Sequence, residues 1–339
     1  MKKLHYHPFP KRITFDTNPG VCNLACIMCD THSVFSEKKG NKHKLPIMDF
    51  SLIQSIIDEG VARGLEEVIP STMGEPLLFK HTESMFRLAN MVGVRINLTT
   101  NGTFPRLGVQ KWSELILPVT SDIKISLNGI SESVNTKIMC GVDHQRQLEN
   151  IRAFTEKRDL LKKKGKTQTT ITLQVTLMES NLDQLPGIVQ FAENIGIERI
   201  KAHHVWVTNS SMENENLRRS EQSIKRWNQM ACQLRYLASN MRIRLENMDE
   251  VPSESSTFFQ DHLVCPFLGR EAWIASDGSF NVCCCPDNLR KDFGNFGNVK
   301  DSQSLLPLWS GEKYINFVKN WGGEHPNCQQ CNMKRKREN

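Results

Sequence analysis

The stretch RITFDTNPGVCNLACIMCD, residues 12–30, runs a short β-branched segment straight into three cysteines, Cys22, Cys26 and Cys29. RITFDT (12–17) reads as a strand, and the cysteines occupy the loop at its C-terminal end. Three thiols are one short of a closed tetrahedral metal site. What completes the site depends on which other loops the fold brings beside this one.

Working outward, further strand segments are EEVIPS (66–71), VRINLTT (94–100), SDIKISL (121–127), TTITLQVTL (169–177) and IERIKAHHVWV (197–207). Amphipathic segments separate or follow them: FSLIQSIIDEGVARG (50–64), HTESMFRLANMVG (81–93), residues 146–164, LDQLPGIVQFAENIG (182–196) and SEQSIKRWNQMACQLRYLASN (220–240). Asp49 stands where an N-cap belongs, and Gly64, Gly93 and Gly196 stand at helix ends. Repeated strand–helix units imply parallel strands with right-handed crossovers. A partial (βα)6 TIM-like barrel and an open doubly wound sheet both fit this pattern. The unusual residues favour the α/β barrel. Cysteines follow the first strand, Gly74-Glu75-Pro76 the second and Asn101-Gly102 the third, while residues 126–129 close the fourth. A barrel gathers such loops at one mouth.

RIRLEN (242–247) reads as a last strand, closing a barrel domain over 1–248. A polar connector, 249–263, follows, and residues 264–339 form a small unit built on the β-hairpin EAWIASDGSFNVCC (271–284), with Asp277-Gly278 at its turn.

The 339 residues are 39% hydrophobic, a soluble globular composition, and contain no apolar run long enough to span a membrane, so a cytoplasmic protein is expected. Eleven cysteines in such a protein are not a disulfide framework. Nine fall into two groups, at 22, 26, 29 and at 265, 283, 284, 285, 328, 331, which implies two metal sites. Cys140 and Cys232 stand apart, and Cys232, inside a helical pattern, is expected in the core. Basic residues exceed acidic ones by 43 to 37, partly through KKKGK (162–166) and KRKR (334–337). Neither run is interleaved with aromatics, so a solvated face and a frayed tail are expected rather than nucleic-acid binding.

Thiolates suit zinc or an iron–sulfur cluster. Zinc would take a fourth ligand such as His32, whereas a cubane held by three cysteines leaves one iron free for another molecule. C-x3-C-x2-C after a first strand, Gly-Glu-Pro after the second and TNG after the third together resemble the radical S-adenosylmethionine enzymes, over roughly residues 12–207. The resemblance implies that S-adenosylmethionine chelates the free iron of a 4Fe-4S cluster and is cleaved to a 5′-deoxyadenosyl radical. It also implies that Gly74, Glu75 and Pro76 hold the cofactor's amino group, with Met73 standing where the family has a first glycine. Asn101, Ser126, Asn128 and Gln174 resemble the family's remaining polar contacts to this ligand.

The second cysteine group admits a zinc ribbon. Its spacing is also similar to the front half of the family's SPASM extension, in the truncated twitch form that closes one auxiliary 4Fe-4S cluster with four cysteines, as in the 2-deoxy-scyllo-inosamine dehydrogenases. Cys265, Cys283, Cys328 and Cys331 are then the ligands, and alternation along an extended arm leaves room for at most one of Cys284 and Cys285. A closed cluster serves electron transfer.

Two outcomes follow for a substrate radical: oxidation, which needs a base, or epimerisation, which needs a thiol. Candidates are His203 or His204 as the base, one of which alternation turns inward, and Cys140, Cys284 or Cys285 as the thiol. With the cluster loop beginning at residue 22, the expectation is a small polar substrate, a sugar or aminocyclitol, with a flavodoxin- or ferredoxin-type electron donor. The alternatives are a peptide-modifying enzyme of the same family and a structural zinc-binding or nucleic-acid-binding protein.

Overall fold

A computed structural model describes residues 6–37, 40–70, 73–251, 263–285, 287–320, 325–329, 331 and 333–336. Strands β1 (Arg12–Phe15), β2 (Glu67–Pro70), β3 (Arg95–Thr100), β4 (Thr120–Ser126), β5 (Thr170–Leu177), β6 (Arg199–His204) and β7 (Arg244–Glu246) lie side by side in chain order, all parallel. Helices α1 (Phe50–Val61), α2 (Thr82–Val92), α3 (Gly108–Ile116), α4 (Glu132–Ile138), α5 (His144–Lys163), α6 (Leu185–Asn194) and α7 (Glu221–Ala238) supply the crossovers. This is an open partial barrel. Asp49 caps α1 by accepting from Ser51 N, and Gly93 closes α2 at φ 75°, a left-handed conformation that costs glycine little.

Alternation divides every strand into two faces. Ile13, Phe15, Val68, Ile96, Leu98, Ile123, Ile125, Ile171, Leu173 and Ile200 are fully buried against the helices. The intervening residues face the lumen and, apart from Ile69, are polar, unlike the apolar layers that fill closed barrels. Near its N-terminal end they form a continuous network. Glu271 accepts from Thr14 Oγ1 at 3.0 Å and lies 3.6 Å from Arg12, and Arg12 pairs with Glu67 at 2.8 Å. Glu67 accepts from Asn97 and Ser121, Asn97 from Lys124, and Lys124 pairs with Asp122. Asp122 pairs with Arg199 at 2.6 Å, and Arg199 continues to Thr172 and Glu246.

The C-terminal hairpin, β9 (Glu271–Ile274) with β10 (Phe280–Asn281), turns at Gly278, φ 94°. It extends the barrel's own sheet: β9 pairs in parallel with β1, Arg12 opposite Glu271. β8 (Leu263–Val264) pairs antiparallel with β11 (Arg335–Lys336), so part of the basic tail, expected to fray, is strand. Most of the polar connector lies outside the described residues.

Two expectations fail. Cys232 is exposed: the buried stripe of α7 is Ser223, Ile224, Trp227, Ala231 and Leu234, and Cys232 sits about 100° around from Ala231. Cys283, Cys284 and Cys285 lie beyond the strand, because β10 ends at Asn281, so the alternation of a paired strand does not govern them.

Candidate functional site: two cysteine centres at the barrel mouth

The loop after β1 is held by its neighbours' backbones. Ala25 N donates to Cys140 O and Ile27 N to Ile138 O, both at 2.9 Å, so the segment after α4 straps the cysteine loop. Leu24, Ile138, Met139, Val142, Met178, Val205 and Met212 form a separate apolar cluster around Cys22, Cys26, Ile27 and Met28. This collar covers the thiols in part.

Burial, and the charges of Glu75 and Cys29, push the Cys22 thiol up to about 11. Burial first, and then Cys29, Cys22 and Cys140, raise Cys26 well above its ordinary value. Leu24 N donates to Cys22 Sγ at 3.5 Å and His32 N to Cys29 Sγ at 3.3 Å. Buried sulfurs that sense one another and receive backbone N–H groups suit a shared inorganic core. His32 donates from Nε2 to Pro19 O at 2.7 Å.

Glu75 draws the next two loops to the cysteines. Its carboxylate accepts from Thr100 Oγ1 (2.7 Å), Asn101 N (2.8 Å) and Leu77 N (3.2 Å). Burial pushes it up to about 7 against these donors. Asn101 Nδ2 donates to Asn23 Oδ1 at 2.9 Å and approaches Cys22 Sγ at 4.0 Å. Glu75 N donates to Val21 O and its carbonyl accepts from Asn18 Nδ2, both at 2.9 Å. A Cβ on Gly74 would stand 2.1 Å from Asn18 O. Asn18, unnoticed in the sequence, therefore joins Gly74, Glu75 and Asn101 in positioning the loop. Pro76 starts a short 3-10 turn and is buried.

Asn128 is 1% exposed, and its side-chain oxygen accepts from Thr176 N at 2.9 Å, bracing β5. Ser126, at the lumen end of β4, is in register with Gln174. Gln174 Nε2 donates to His203 Nδ1 at 2.9 Å, which leaves the ring proton on Nε2, 3.4 Å from Thr176 Oγ1. Burial and the nearby Lys201 charge bring His203 down to about 4, so it is neutral at ordinary pH. His204 points the other way and meets Trp227 edge-on at 5.2 Å between centroids. Cys140 directs its thiol to Lys137 O at 3.3 Å.

The second centre lies beyond the hairpin. Cys265 senses Cys283 and Cys331, and Cys328 senses the same two. Pairing of β8 with β11 draws Cys265 and Cys331 together from distant parts of the chain. Met333 N donates to Cys331 Sγ at 3.4 Å. Cys283 also contacts both Cys284 and Cys285, and those contacts, with Arg290, hold it down to about 3 against burial. Soft donors gathered in a partly buried pocket fit an iron–sulfur cluster.

Residues 19–173 match the Radical SAM superfamily, and residues 265–332 match the iron-sulfur cluster-binding domain called SPASM. The tungsten-containing aldehyde ferredoxin oxidoreductase cofactor-modifying protein of Pyrococcus furiosus is 23% identical over 332 residues, 92% of this chain and 85% of its own. Among solved structures, Streptococcus suis SuiB bound to precursor peptide SuiA is similar over 97% of this chain and 71% of its own, with TM-score 0.67 and 14% identity. BtrN in complex with AdoMet and 2-DOIA is similar over 98% and 94%, with TM-score 0.50 and 16% identity. The cofactors follow from the two domains: S-adenosylmethionine with a 4Fe-4S cluster, and an auxiliary iron–sulfur cluster. The non-catalytic zinc or nucleic-acid reading falls with these matches. Among the described residues no helix is long and apolar enough to cross a membrane.

Proposed function

We propose, for a chain that carries a radical SAM domain followed by an iron-sulfur cluster-binding SPASM domain, that it is an oxidoreductase acting on a polar substrate held in the barrel lumen. When bound, the cofactors supply a 5′-deoxyadenosyl radical that abstracts a hydrogen atom and an auxiliary acceptor for the second electron. Cys22, Cys26 and Cys29 hold the first centre, and Cys265, Cys283, Cys328 and Cys331 the second. Glu75 and Asn101 shape the cofactor loop, with Ser126 and Gln174 beside it on the lumen face.

One observation carries oxidation over epimerisation: among the described residues, each candidate thiol donor is turned to another partner. Cys140 bonds Lys137 O, and Cys284 and Cys285 contact Cys283. His203, neutral at ordinary pH and on the lumen face, is the proposed acceptor of the proton that oxidation releases as the electron passes to the auxiliary centre.

The substrate class is supported from several sides. BtrN was captured with 2-DOIA, SuiB with a precursor peptide, and the Pyrococcus relative is named for modifying a cofactor. The polar lumen suits a small polyhydroxylated or amino-bearing molecule, while the likeness to SuiB supports a peptide as the second reading. The test is anaerobic turnover with S-adenosylmethionine and dithionite in heavy water, across sugars, aminocyclitols, pterin-type cofactors and peptides. A product two hydrogens lighter, without deuterium on carbon, is expected. Deuterium at an inverted stereocentre in unoxidised product would instead establish epimerisation. A flavodoxin- or ferredoxin-type protein is the proposed physiological donor.

A further inference from the structure

The ladder between β3 and β4 ends with Thr100 opposite Ile125, and the next residue on each strand, Asn101 and Ser126, is one assigned to the cofactor. The carbonyls of both are taken by one side chain on α5: Gln147 Nε2 donates to Asn101 O at 2.7 Å and to Ser126 O at 3.1 Å. An amide nitrogen has two hydrogens, one for each carbonyl, so a single group sets the spacing of the two strand ends. Met139 Sδ, within the strap on the cysteine loop, lies 3.7 Å from the same nitrogen.

This amide cannot be turned over. Its oxygen accepts from Asn135 Nδ2 at 2.8 Å, the second hydrogen of Asn135 goes to His144 Nδ1 at 3.1 Å, and Asn135 Oδ1 accepts from Asn128 N at 3.1 Å. His144 then carries its proton on Nε2, which donates to Ile130 O at 3.0 Å. Asn135 and Gln147 are 0% and 1% exposed, so a lost partner leaves a buried polar group unsatisfied.

The loop after β3 depends on such support. Gly102, Phe104, Arg106 and Gly108 all have positive φ, at 77°, 47°, 69° and 74°. Glycine adopts these values freely, whereas Phe and Arg keep them only where the surroundings impose them. One face of α5 does so. Asn150 Nδ2 donates to Gly102 O and Thr103 O, both at 3.3 Å, and Phe154 stacks on Phe104 at 5.3 Å between centroids. With Gln147 these residues follow at helical spacing.

We propose that Gln147 is a positioning residue for S-adenosylmethionine: its amide, oriented by Asn135 and seconded by Asn150, holds the ends of β3 and β4 at the separation the cofactor requires. Gln147 acts through Asn101 and Ser126 rather than by contact of its own. The strained loop is thereby set before the cofactor arrives, and less binding energy goes into ordering it.

This rests on the reading of Asn101 and Ser126 as cofactor contacts, and the test separates the two claims. Gln147→Leu removes both donors at similar size, and Gln147→Glu sets an oxygen against the two carbonyls. Anaerobically reconstituted variants should keep their iron, and calorimetric titration should show the S-adenosylmethionine dissociation constant raised roughly tenfold, equivalent to about 1.4 kcal/mol. Hydrogen exchange measured before cofactor is added should quicken at residues 101–108 and match the parent in the C-terminal hairpin. In dithionite-driven formation of 5′-deoxyadenosine, KM for S-adenosylmethionine should rise while kcat at saturation holds. A fall in kcat at unchanged KM, the mark of fewer folded molecules, overturns the proposal, as does loss of iron, which would make Gln147 a support of the cysteine loop. If neither Asn101→Ala nor Ser126→Ala weakens binding, the contact reading fails and the proposal with it. If they weaken it and Gln147→Leu does not, the reading stands and the positioning role is overturned. Where circular dichroism shows the Gln147 variants unfolded, Asn150→Ala at a half-buried position decides: affinity and loop exchange should change in the same directions by smaller factors, and parent values for both overturn the clamp.

Discussion

At Gly74 a single hydrogen is all the space the fold allows, because Asn18 O approaches to 2.1 Å of where a Cβ would be. Gly74→Ala should push the Glu75 loop off the cysteine loop while leaving the C-terminal centre intact. Chemically reconstituted protein should then hold roughly half its iron, as counted for two cubanes. Full iron with unchanged S-adenosylmethionine binding would contradict this. His203 makes a second prediction. Its ordinary value is 6.5 and burial lowers it to about 4, so the folded protein binds this proton less readily than the unfolded chain. Its contribution to stability is complete above 6.5 and is lost as pH falls towards 4. Nitrogen-15 spectra should show one neutral tautomer, protonated at Nε2, from pH 8 down to pH 5, values chosen to bracket the ordinary imidazole range. A midpoint near 6.5 would refute the reading. The cysteines and the Gly-Glu-Pro turn were legible in the sequence because their spacing is local. Asn18 and the strap at residues 138–140 were not: the Asn18 side chain meets a backbone carbonyl of a distant loop, and the strap acts through backbone atoms alone.

Among the elements, the seven barrel strands were readable to within three residues at either end, because β-branched runs end at polar turns. α3 and α4 escaped notice because they are short, and neither N-cap side chain makes a capping bond. The long helix α5 has a different weakness and a different support. Its apolar stripe is thin, and much of its attachment runs through Arg158, 1% exposed, whose Nη1 donates to both oxygens of Glu198 at 2.7 Å and whose Nη2 donates to Gly196 O at 2.9 Å. Nε reaches Asp159 at 2.5 Å. Arg158 is buried, but Glu198 is 31% exposed and keeps Lys162 at 3.2 Å, so the loss is that of the hydrogen bonds themselves, roughly 1–3 kcal/mol. Arg158→Ala should therefore lower the urea midpoint substantially without touching either cysteine centre. A loss no larger than that of a surface substitution would show that the pair is not built into the helix's attachment. The same comparison explains Cys232: helical period was visible, but which side of α7 faces the barrel depends on partners far away in sequence.

For the molecule as a whole, the unexpected feature is that the C-terminal hairpin and the barrel share one sheet. Hydropathy could not reveal it, because β9 pairs with β1 across more than half the chain and the contact is made by charged residues facing inward. Glu271 is central to that seam: 2% exposed, bonded to Thr14 and beside Arg12. Burial raises its carboxyl above the ordinary 4.5, with Arg12 and Thr14 opposing. The folded protein thus holds this proton more tightly than the unfolded chain, so stability from Glu271 is fully present below 4.5 and is lost as pH climbs through the raised value. Glu271→Gln keeps an acceptor for Thr14 and removes the ionisation. Urea midpoints measured across that window should decline with pH in the parent protein and decline less in the variant. The hairpin carries Cys283, so the same variant should also hold its auxiliary iron more evenly as pH rises. Parallel stability profiles in the two proteins would mean that Glu271 is ionised throughout, and that the seam is held by its ion pair with Arg12 instead.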